Sequence, residues 1–267
     1  MDTRPIGVFD SGIGGLTVVT SLLNELPREK IYYVGDTARV PYGNKSPTSI
    51  RQYSDEIVKW LIHHNCKVII IACNTVSSVA LEYLKQKYNV PIIGVIDPVV
   101  KYALKITKNK VIGVIGTTAT IKSDAYGKKL RLANKKITII NIPCPLFVPL
   151  VEEGWTSGAV PKSIAKVYLK GLEKVNPDTI ILGCTHYPLL KGVIEQVLSN
   201  DIQMIDSGLV TSIETKSTLA KHNLESNKSQ QELQIFVTDS SELFKESASS
   251  FLGDIRIKVK RIELSSY

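Results

Sequence analysis

Short apolar runs alternate along the chain with longer stretches in which apolar residues recur at helical spacing. Three of these stretches, 16–26, 48–63 and 76–88, are predicted to be amphipathic helices. Strands that alternate with helices are typical of a parallel sheet with right-handed crossovers, and hence of an α/β fold. The predicted strands are 6–9, 31–34, 68–72, 92–95, 111–115, 137–142, 179–182 and 203–205.

The chain contains an internal repeat. Segments 69–98 and 180–207 each consist of an apolar run, a small residue, a cysteine, a helical stretch, a second apolar run and an Ile-Asp pair. Upstream, segment 6–15 is echoed by 112–121, in both cases an apolar run followed by a turn rich in small residues. Because the copies share one plan, we predict two similar halves that face each other across a cleft.

The cysteine in each copy, Cys73 or Cys184, directly follows the end of an apolar run. Reactive groups in parallel sheets lie at the carboxyl ends of strands, so both thiols are expected at the cleft. A thiolate on one side of a ligand accepts a proton while a thiol on the other side donates one, which suits inversion of a stereocentre. Taken singly, each cysteine would be interpreted as a small buried hydrophobic residue. The matched positions favour catalysis, whereas Cys66 and Cys144 lack this context and keep the buried interpretation.

Polar residues follow both thiols. Asn74 and Thr75 come after the first, and Thr185 and His186 come after the second. Together with backbone N–H groups at the starts of the next helices, these side chains are suited to bind a carboxylate, although the same residue types also cap helices. His186 is expected to tune its neighbouring thiol, to protonate the amine side of the cleft, or simply to be packed.

The composition narrows the classes of protein. A chain of 267 residues, 43% hydrophobic and 22% charged, is typical of a globular protein with one large or two smaller domains. No apolar run approaches the ~20 residues of a membrane helix, and the N-terminus lacks a signal-like pattern, so a cytoplasmic protein without a membrane partner is expected. The net charge of +8 comes from lysines in small groups without a basic stripe, which argues against nucleic acid as a partner. The four cysteines show no metal-binding spacing, so neither disulfides nor a metal site is expected.

The glycine-rich turn after the first predicted strand allows a competing interpretation. Gly12 and Gly14, with Asp36 further along, approximate a dinucleotide-binding fingerprint. Thr17 stands where the third glycine would be, and Asp10 would place negative charge beside a pyrophosphate. We therefore favour the alternative that the glycines let the backbone approach a small carboxylate.

Four motifs carry a resemblance to a known family: FDSGIGGLTV (9–18), GDTARVPYG (35–43), ACNT (72–75) and GCTHYP (183–188). As a set, and in this order, they resemble the motifs of the glutamate racemases in the aspartate/glutamate racemase superfamily. The resemblance extends to about Ser212, and the segment after it carries no motif of this kind.

The resemblance implies a cofactor-independent interconversion of L- and D-glutamate that supplies D-glutamate for peptidoglycan synthesis. It also implies two pseudo-symmetric, doubly wound (flavodoxin-like) parallel-sheet domains with the active site in the cleft between them. Residues 1–97 and 208–267 would form domain one, and 98–207 would form domain two. Glutamate would be the substrate, and we expect a homodimer with no metal and no cofactor.

The resemblance further assigns roles by motif position. Cys73 and Cys184 would exchange a proton with Cα, assisted by Asp10 and His186, and Glu152 would be a further acidic catalytic residue. The substrate-binding residues would be Asp10, Ser11, Tyr42, Gly43, Asn74, Thr75, Thr117, Thr120, Thr185 and His186.

Two other classes of protein stay open at this point. A related enzyme, such as an aspartate racemase or another thiol-dependent isomerase or decarboxylase, would keep both cysteines but change the walls that select the substrate. A non-catalytic protein that binds acidic ligands, or nucleic acid through its basic surface, would need neither thiol.

Overall fold

The chain forms two parallel β-sheets, each with helices packed on both faces, which confirms the predicted α/β fold with two doubly wound domains. The computed structural model describes residues 1–172, 174–198, 201–227, 231–253, 255 and 257–264. In chain order the strands are β1 (Ile6–Asp10), β2 (Lys30–Gly35), β3 (Val68–Ile71), β4 (Ile92–Gly94), β5 (Val111–Gly116), β6 (Thr138–Pro143), β7 (Thr179–Gly183), β8 (Gln203–Asp206), β9 (Glu232–Val237) and β10 (Val259–Arg261).

Four strands of the first sheet have the same topology as the whole second sheet. The first has the strand order β10-β9-β2-β1-β3-β4 and the second β6-β5-β7-β8. The order β2-β1-β3-β4 in the first half therefore matches β6-β5-β7-β8 in the second, as the internal repeat predicts. In the first sheet, Phe9 of β1 pairs with Val34 of β2 and Ile71 of β3, so these three strands end at the same edge.

Helices connect the strands and cover the sheets. None of the helices within the described residues is long and apolar enough to cross a membrane. Short 3₁₀ turns occupy Thr37–Arg39, Tyr42–Asn44 and Tyr187–Leu190. In chain order the α-helices are α1 (Leu16–Glu25), α2 (Pro47–His63), α3 (Asn74–Val79), α4 (Leu81–Lys87), α5 (Ile96–Ile106), α6 (Thr118–Ser123), α7 (Ala125–Ala133), α8 (Phe147–Glu152), α9 (Ala159–Leu169), α10 (Lys191–Glu195), α11 (Ser207–Lys221) and α12 (Ser241–Leu252).

The strand that leads to the first thiol is buried on both faces. Val68 and Ile70 of β3 pack into the core on the α1 side of the sheet, and Ile69 and Ile71 pack into the core on the α2 side. A continuous apolar run is what a central parallel strand requires, since both of its faces are covered by helices. Burial of each such side chain stabilises the fold by about 1.5–3 kcal/mol. The strand is therefore a rigid support for the residues that follow it.

Two parts of the chain differ from the expectation. The helix predicted at 76–88 is two helices, α3 and α4, which meet at Ala80. The Ser78 hydroxyl, just before the break, donates to the carbonyl of Thr75, and such side-chain bonds bend helices. The elements β9, α12 and β10 lie in the segment for which no motif was found.

A fully buried lysine joins the N-terminus to the segment just after α11. Lys67 Nζ lies 2.6 Å from Glu29 Oε2, and it also donates to the carbonyls of Asp2 at 2.8 Å and Leu224 at 2.6 Å. The second oxygen of Glu29 accepts the backbone N–H of Ser226. Every hydrogen of this ammonium group is therefore bonded, which is the condition under which a buried charge is tolerated.

Candidate active site

A cavity of about 320 Å³ lies between the two halves, at the carboxyl ends of β1, β3 and β7. This volume is near the lower end of the roughly 300–1,000 Å³ range of small-molecule sites. Eleven of the predicted site residues line it: Ser11, Tyr42, Gly43, Cys73, Asn74, Thr75, Thr117, Glu152, Cys184, Thr185 and His186. The remaining lining residues are Gly12, Val40, Pro41, Asn44, Thr118, Pro145, Val148 and Pro149.

The lining residues that the sequence analysis missed are mostly apolar. Pro145, Val148 and Pro149 belong to the segment that leads into Glu152 at the end of α8. They carry no reactive group, so no chemical pattern marks them in the sequence. The available signal was their closeness in sequence to Glu152, in a proline-rich stretch after a predicted strand.

Cys73 follows β3 after one residue, Ala72, and is buried at the start of α3. Its Sγ donates to the hydroxyl of Ser11, with 3.8 Å between the two atoms. Burial, reinforced by the negative charge of Asp10, raises the pKa of Cys73 to about 12. At neutral pH this residue is therefore a thiol, able to donate a proton into the cavity.

Cys184, after β7, begins a chain of polar contacts in the second half. Its Sγ lies 3.8 Å from Nδ1 of His186, and Nε2 of the same ring lies 3.2 Å from Glu152 Oε1. Burial lowers the pKa of His186, but the contacts with Cys184 and Glu152 outweigh it and raise the pKa to about 10. The imidazole is therefore positively charged at neutral pH, beside the second sulfur.

Asp10 ends β1 and lies behind the cavity wall. Its Oδ2 accepts the backbone N–H groups of Gly12 and Gly15, both at 3.1 Å. Burial raises the pKa of Asp10, although the positive charge of His186 acts in the opposite direction. Oδ1 has no hydrogen-bond partner within the part of the chain that the structure describes. Asp10 thus shapes the glycine turn and places a carboxyl group near Cys73.

The glycine turn also brings the two halves into contact. A Cβ atom on Gly14 would lie only 2.5 Å from the ring of His186 and closer still to the hydroxyl of Thr185. Thr17 Oγ1, in α1, donates to the carbonyl of Thr185 at 3.0 Å. Glycine is therefore required here because the backbone of the first half touches the polar residues after the second thiol.

Asn74 and Thr75 reach across the cleft to the second half. Asn74 Oδ1 accepts the hydroxyl of Tyr126 at 2.5 Å, while its Nδ2 is buried and has no partner among the described residues. Thr75 Oγ1 lies 3.0 Å from that of Thr117 and 3.3 Å from that of Thr120. Thr120 therefore does not line the cavity but supports Thr75, which does. Asn74 lines the cavity and has a hydrogen-bond donor, Nδ2, without a protein partner in the described part of the chain.

The loop after β2 carries Tyr42, whose hydroxyl donates to Asp36. Asp36 is fully buried, and its other contacts are Arg39 Nε at 2.7 Å and Thr238 Oγ1 at 2.9 Å. Thr238 lies just beyond β9, so the C-terminal segment helps to hold this loop. Tyr42 and Gly43 both line the cavity, and Gly43 also packs against the second half at Thr117.

The geometry opposes the dinucleotide interpretation. Asp10 occupies the N–H groups of Gly12 and Gly15, which a pyrophosphate would need. Asp36, the residue expected to bind a ribose, is enclosed by side chains that include Tyr42. Within the described ranges, no group of three or more His, Cys, Asp or Glu side chains is arranged to hold a metal ion.

Comparison with known proteins matches this architecture to one family. The model of the Asp/Glu/hydantoin racemase family covers residues 6–213. A glutamate racemase of Sulfurihydrogenibium is 48% identical over 98% of this chain and 98% of its own. A crystal structure of a glutamate racemase from Bacillus anthracis is 36% identical, covers 99% of both chains and has a TM-score of 0.95. A glutamate racemase from Francisella tularensis, solved in complex with D-glutamate, is 40% identical over 100% of both chains with a TM-score of 0.93.

Proposed function

The chain belongs to the glutamate racemases of the Asp/Glu/hydantoin racemase family, and we propose that it interconverts L- and D-glutamate with Cys73 and Cys184 as the two proton carriers. One observation carries this proposal. Two buried cysteines follow equivalent strands of two matching half-structures, and both line the same small cavity. Thiols that reach a ligand from opposite halves are suited to act on opposite faces of Cα.

The reaction begins with one sulfur as thiolate and the other as thiol. The thiolate takes the proton from Cα, the C–H bond breaks as an S–H bond forms, and the electron pair spreads into the adjoining carboxylate. The thiol on the far face then gives its proton to Cα, which inverts the centre. Burial and the nearby carboxyl group of Asp10 favour the thiol form of Cys73, and His186 places a positive charge beside the second sulfur.

Fixed hydrogen-bond donors would stabilise the negative charge that develops on the carboxylate. Asn74 offers its unpartnered Nδ2, and the hydroxyls of Thr75 and Thr117 lie at the same wall. Donors that are already in place inside a closed cavity stabilise a transition state more strongly than mobile water does. No cofactor is needed for this scheme.

The biological role follows from the product. We propose that the enzyme works in the cytoplasm, as a homodimer, and supplies D-glutamate for peptidoglycan synthesis. Removal of the gene should make growth depend on added D-glutamate, and growth without it would contradict this role. Sedimentation of the purified protein tests the dimer.

A proton-exchange experiment tests the reaction and the substrate. Incubation with L-glutamate in D₂O should yield D-glutamate that carries deuterium at Cα, as measured by chiral chromatography and mass spectrometry. An aspartate racemase is the second candidate, and discrimination by a single methylene reaches only about 10- to 200-fold. Labelling of aspartate without labelling of glutamate would therefore contradict our substrate assignment.

Single substitutions test the two carriers. Cys73→Ala and Cys184→Ala should each abolish racemisation. Inversion at Cα needs a thiolate that accepts the proton on one face and a thiol that donates a proton on the other, and each variant lacks one of the two. Cys66→Ala is the matched control, since this buried thiol packs in the core of the first half. Racemisation retained by either of the first two variants would overturn the two-thiol mechanism.

A further inference from the structure

Tyr126 spans the cleft from the second half to a residue of the first. It lies in the first turn of α7, is only 2% exposed, and donates its hydroxyl hydrogen to Asn74 Oδ1 at 2.5 Å. Burial raises the pKa of the phenol, so the hydroxyl remains a donor throughout the neutral range. None of the sequence motifs contains this tyrosine.

The hydrogen bond determines which end of the Asn74 amide faces the cavity. If the amide were turned around, Nδ2 would point at Tyr126 and the phenolic hydrogen would have no acceptor among its described neighbours. A buried hydrogen-bond donor left unpaired costs about 1–3 kcal/mol, so the orientation with Oδ1 toward the phenol is favoured. Nδ2 is then the end left without a protein partner, and its residue lines the cavity.

We propose that Tyr126 is a positioning residue that fixes the amide of Asn74 so that its N–H donors meet a carboxylate of the substrate. This inference rests on the proposed function, because it names the group that binds an acidic ligand. Tyr126 does not touch the ligand itself and acts through Asn74. The hydrogen bond also joins α7 of the second half to α3 of the first. Nδ2 of Asn74 is therefore held in place only while the two halves are in contact.

The ring of Tyr126 has a separate, structural role. It packs in the core beneath the second sheet, and its Cε2 lies at ordinary contact distance, 3.4 Å, from the position that a Cβ on residue 183 would occupy. Phenylalanine retains these ring contacts and removes only the hydroxyl. Tyr126→Phe therefore isolates the hydrogen bond from the packing.

A double-mutant cycle tests the proposal on the full-length enzyme. Tyr126→Phe should raise the KM for both enantiomers about tenfold, within the range expected for a lost buried hydrogen bond. kcat should change much less. In an Asn74→Ala background the same substitution should have no further effect, because the group that it positions is gone. Tyr88→Phe is the control, since it also removes a hydroxyl that donates to a side-chain oxygen, here Oδ1 of Asp55, away from the cavity, and it should leave KM and kcat unchanged.

Two outcomes would overturn the inference: an unchanged KM in folded Tyr126→Phe, or an equal rise in KM in the Asn74→Ala background. Asn74→Asp checks the orientation without altering Tyr126. If N–H donors face the substrate, this variant should bind glutamate more weakly than Asn74→Ala, because a carboxylate would then face a carboxylate, and equal or tighter binding would also count against the proposal. Absence of glutamate racemisation in the unmodified enzyme would instead refute the proposed function.

Discussion

Substitution of Gly14 by alanine should separate the polar groups of the active site without changing any of them. The added Cβ would lie 2.5 Å from the His186 ring, whereas ordinary contacts begin at 3.4 Å, so a shift of about 1 Å is needed. The backbone itself accepts alanine, since Gly14 is not among the glycines with positive φ. The clash therefore displaces Thr185 and His186, or it pushes the two halves of the molecule apart.

The magnitude follows from that displacement. A misplacement of about 1 Å in a catalytic arrangement commonly lowers the rate about 100-fold. If His186 turns away it loses its contacts with Cys184 and Glu152, and if the halves separate the sulfurs no longer flank one cavity. We expect kcat/KM to fall by about this factor in both directions, while overpacking lowers the free energy of unfolding by only about 1–3 kcal/mol.

Two assays measure these quantities. Circular dichroism monitors racemisation and gives kcat/KM, and thermal unfolding gives the change in the free energy of unfolding. Gly192→Ala is the control, because its Cβ meets open space in α10. That variant should keep its activity and gain about 0.5–1 kcal/mol, the difference in helix propensity between the two residues. A folded Gly14→Ala enzyme with kcat/KM within about threefold of the parent would refute the reasoning.

Three further predictions follow from the buried polar contacts. Lys67→Met should lower the free energy of unfolding by about 3–5 kcal/mol, because buried Glu29 is left without its ion-pair partner. Denaturant titration measures this loss, and a value below about 1 kcal/mol would contradict the prediction. Thr238→Val should raise KM severalfold by releasing Asp36 and the loop that it holds, whereas Thr238→Ser should not; steady-state kinetics decides, and equal KM values would argue against the coupling. The pKa of His186 is raised from 6.5 to about 10, so its stabilising contribution is complete below about pH 6.5 and is lost as the pH rises through about 10. The difference in melting temperature between the parent and His186→Asn should therefore shrink across this interval, and a constant difference would contradict the assignment.

The parts that the sequence predicted well are those that repeat. Two apolar runs that each end in a cysteine predict equivalent strands, and β3 and β7 hold equivalent places in the two sheets. Such runs can be recognised in the sequence as strands because β3 is buried on both faces, so every one of its residues must be apolar. The polar residues after the cysteines are equally local, so their presence at the cavity wall could be predicted.

Contacts between distant segments could not be predicted in this way. The bond from Tyr126 to Asn74 and the bond from Thr238 to Asp36 each join residues far apart in sequence. An isolated tyrosine or threonine has no periodicity or spacing that reveals its partner. The C-terminal strands were missed for a related reason, since β9 and β10 complete a sheet whose other strands lie in the N-terminal half of the chain.

The two halves share a topology, but their thiols have different electrostatic surroundings. Cys73 faces a hydroxyl and lies near the carboxyl group of Asp10, whereas Cys184 faces the positively charged His186. Because enantiomers have equal free energies in water, kcat/KM must be the same for L- and D-glutamate whatever the surroundings of the thiols. The asymmetry can therefore appear only in kcat and KM taken separately, so we expect the two enantiomers to differ in both, by the same factor. Equal kcat values across the whole pH range, measured in both directions, would mean that these unequal surroundings have no effect on the reaction.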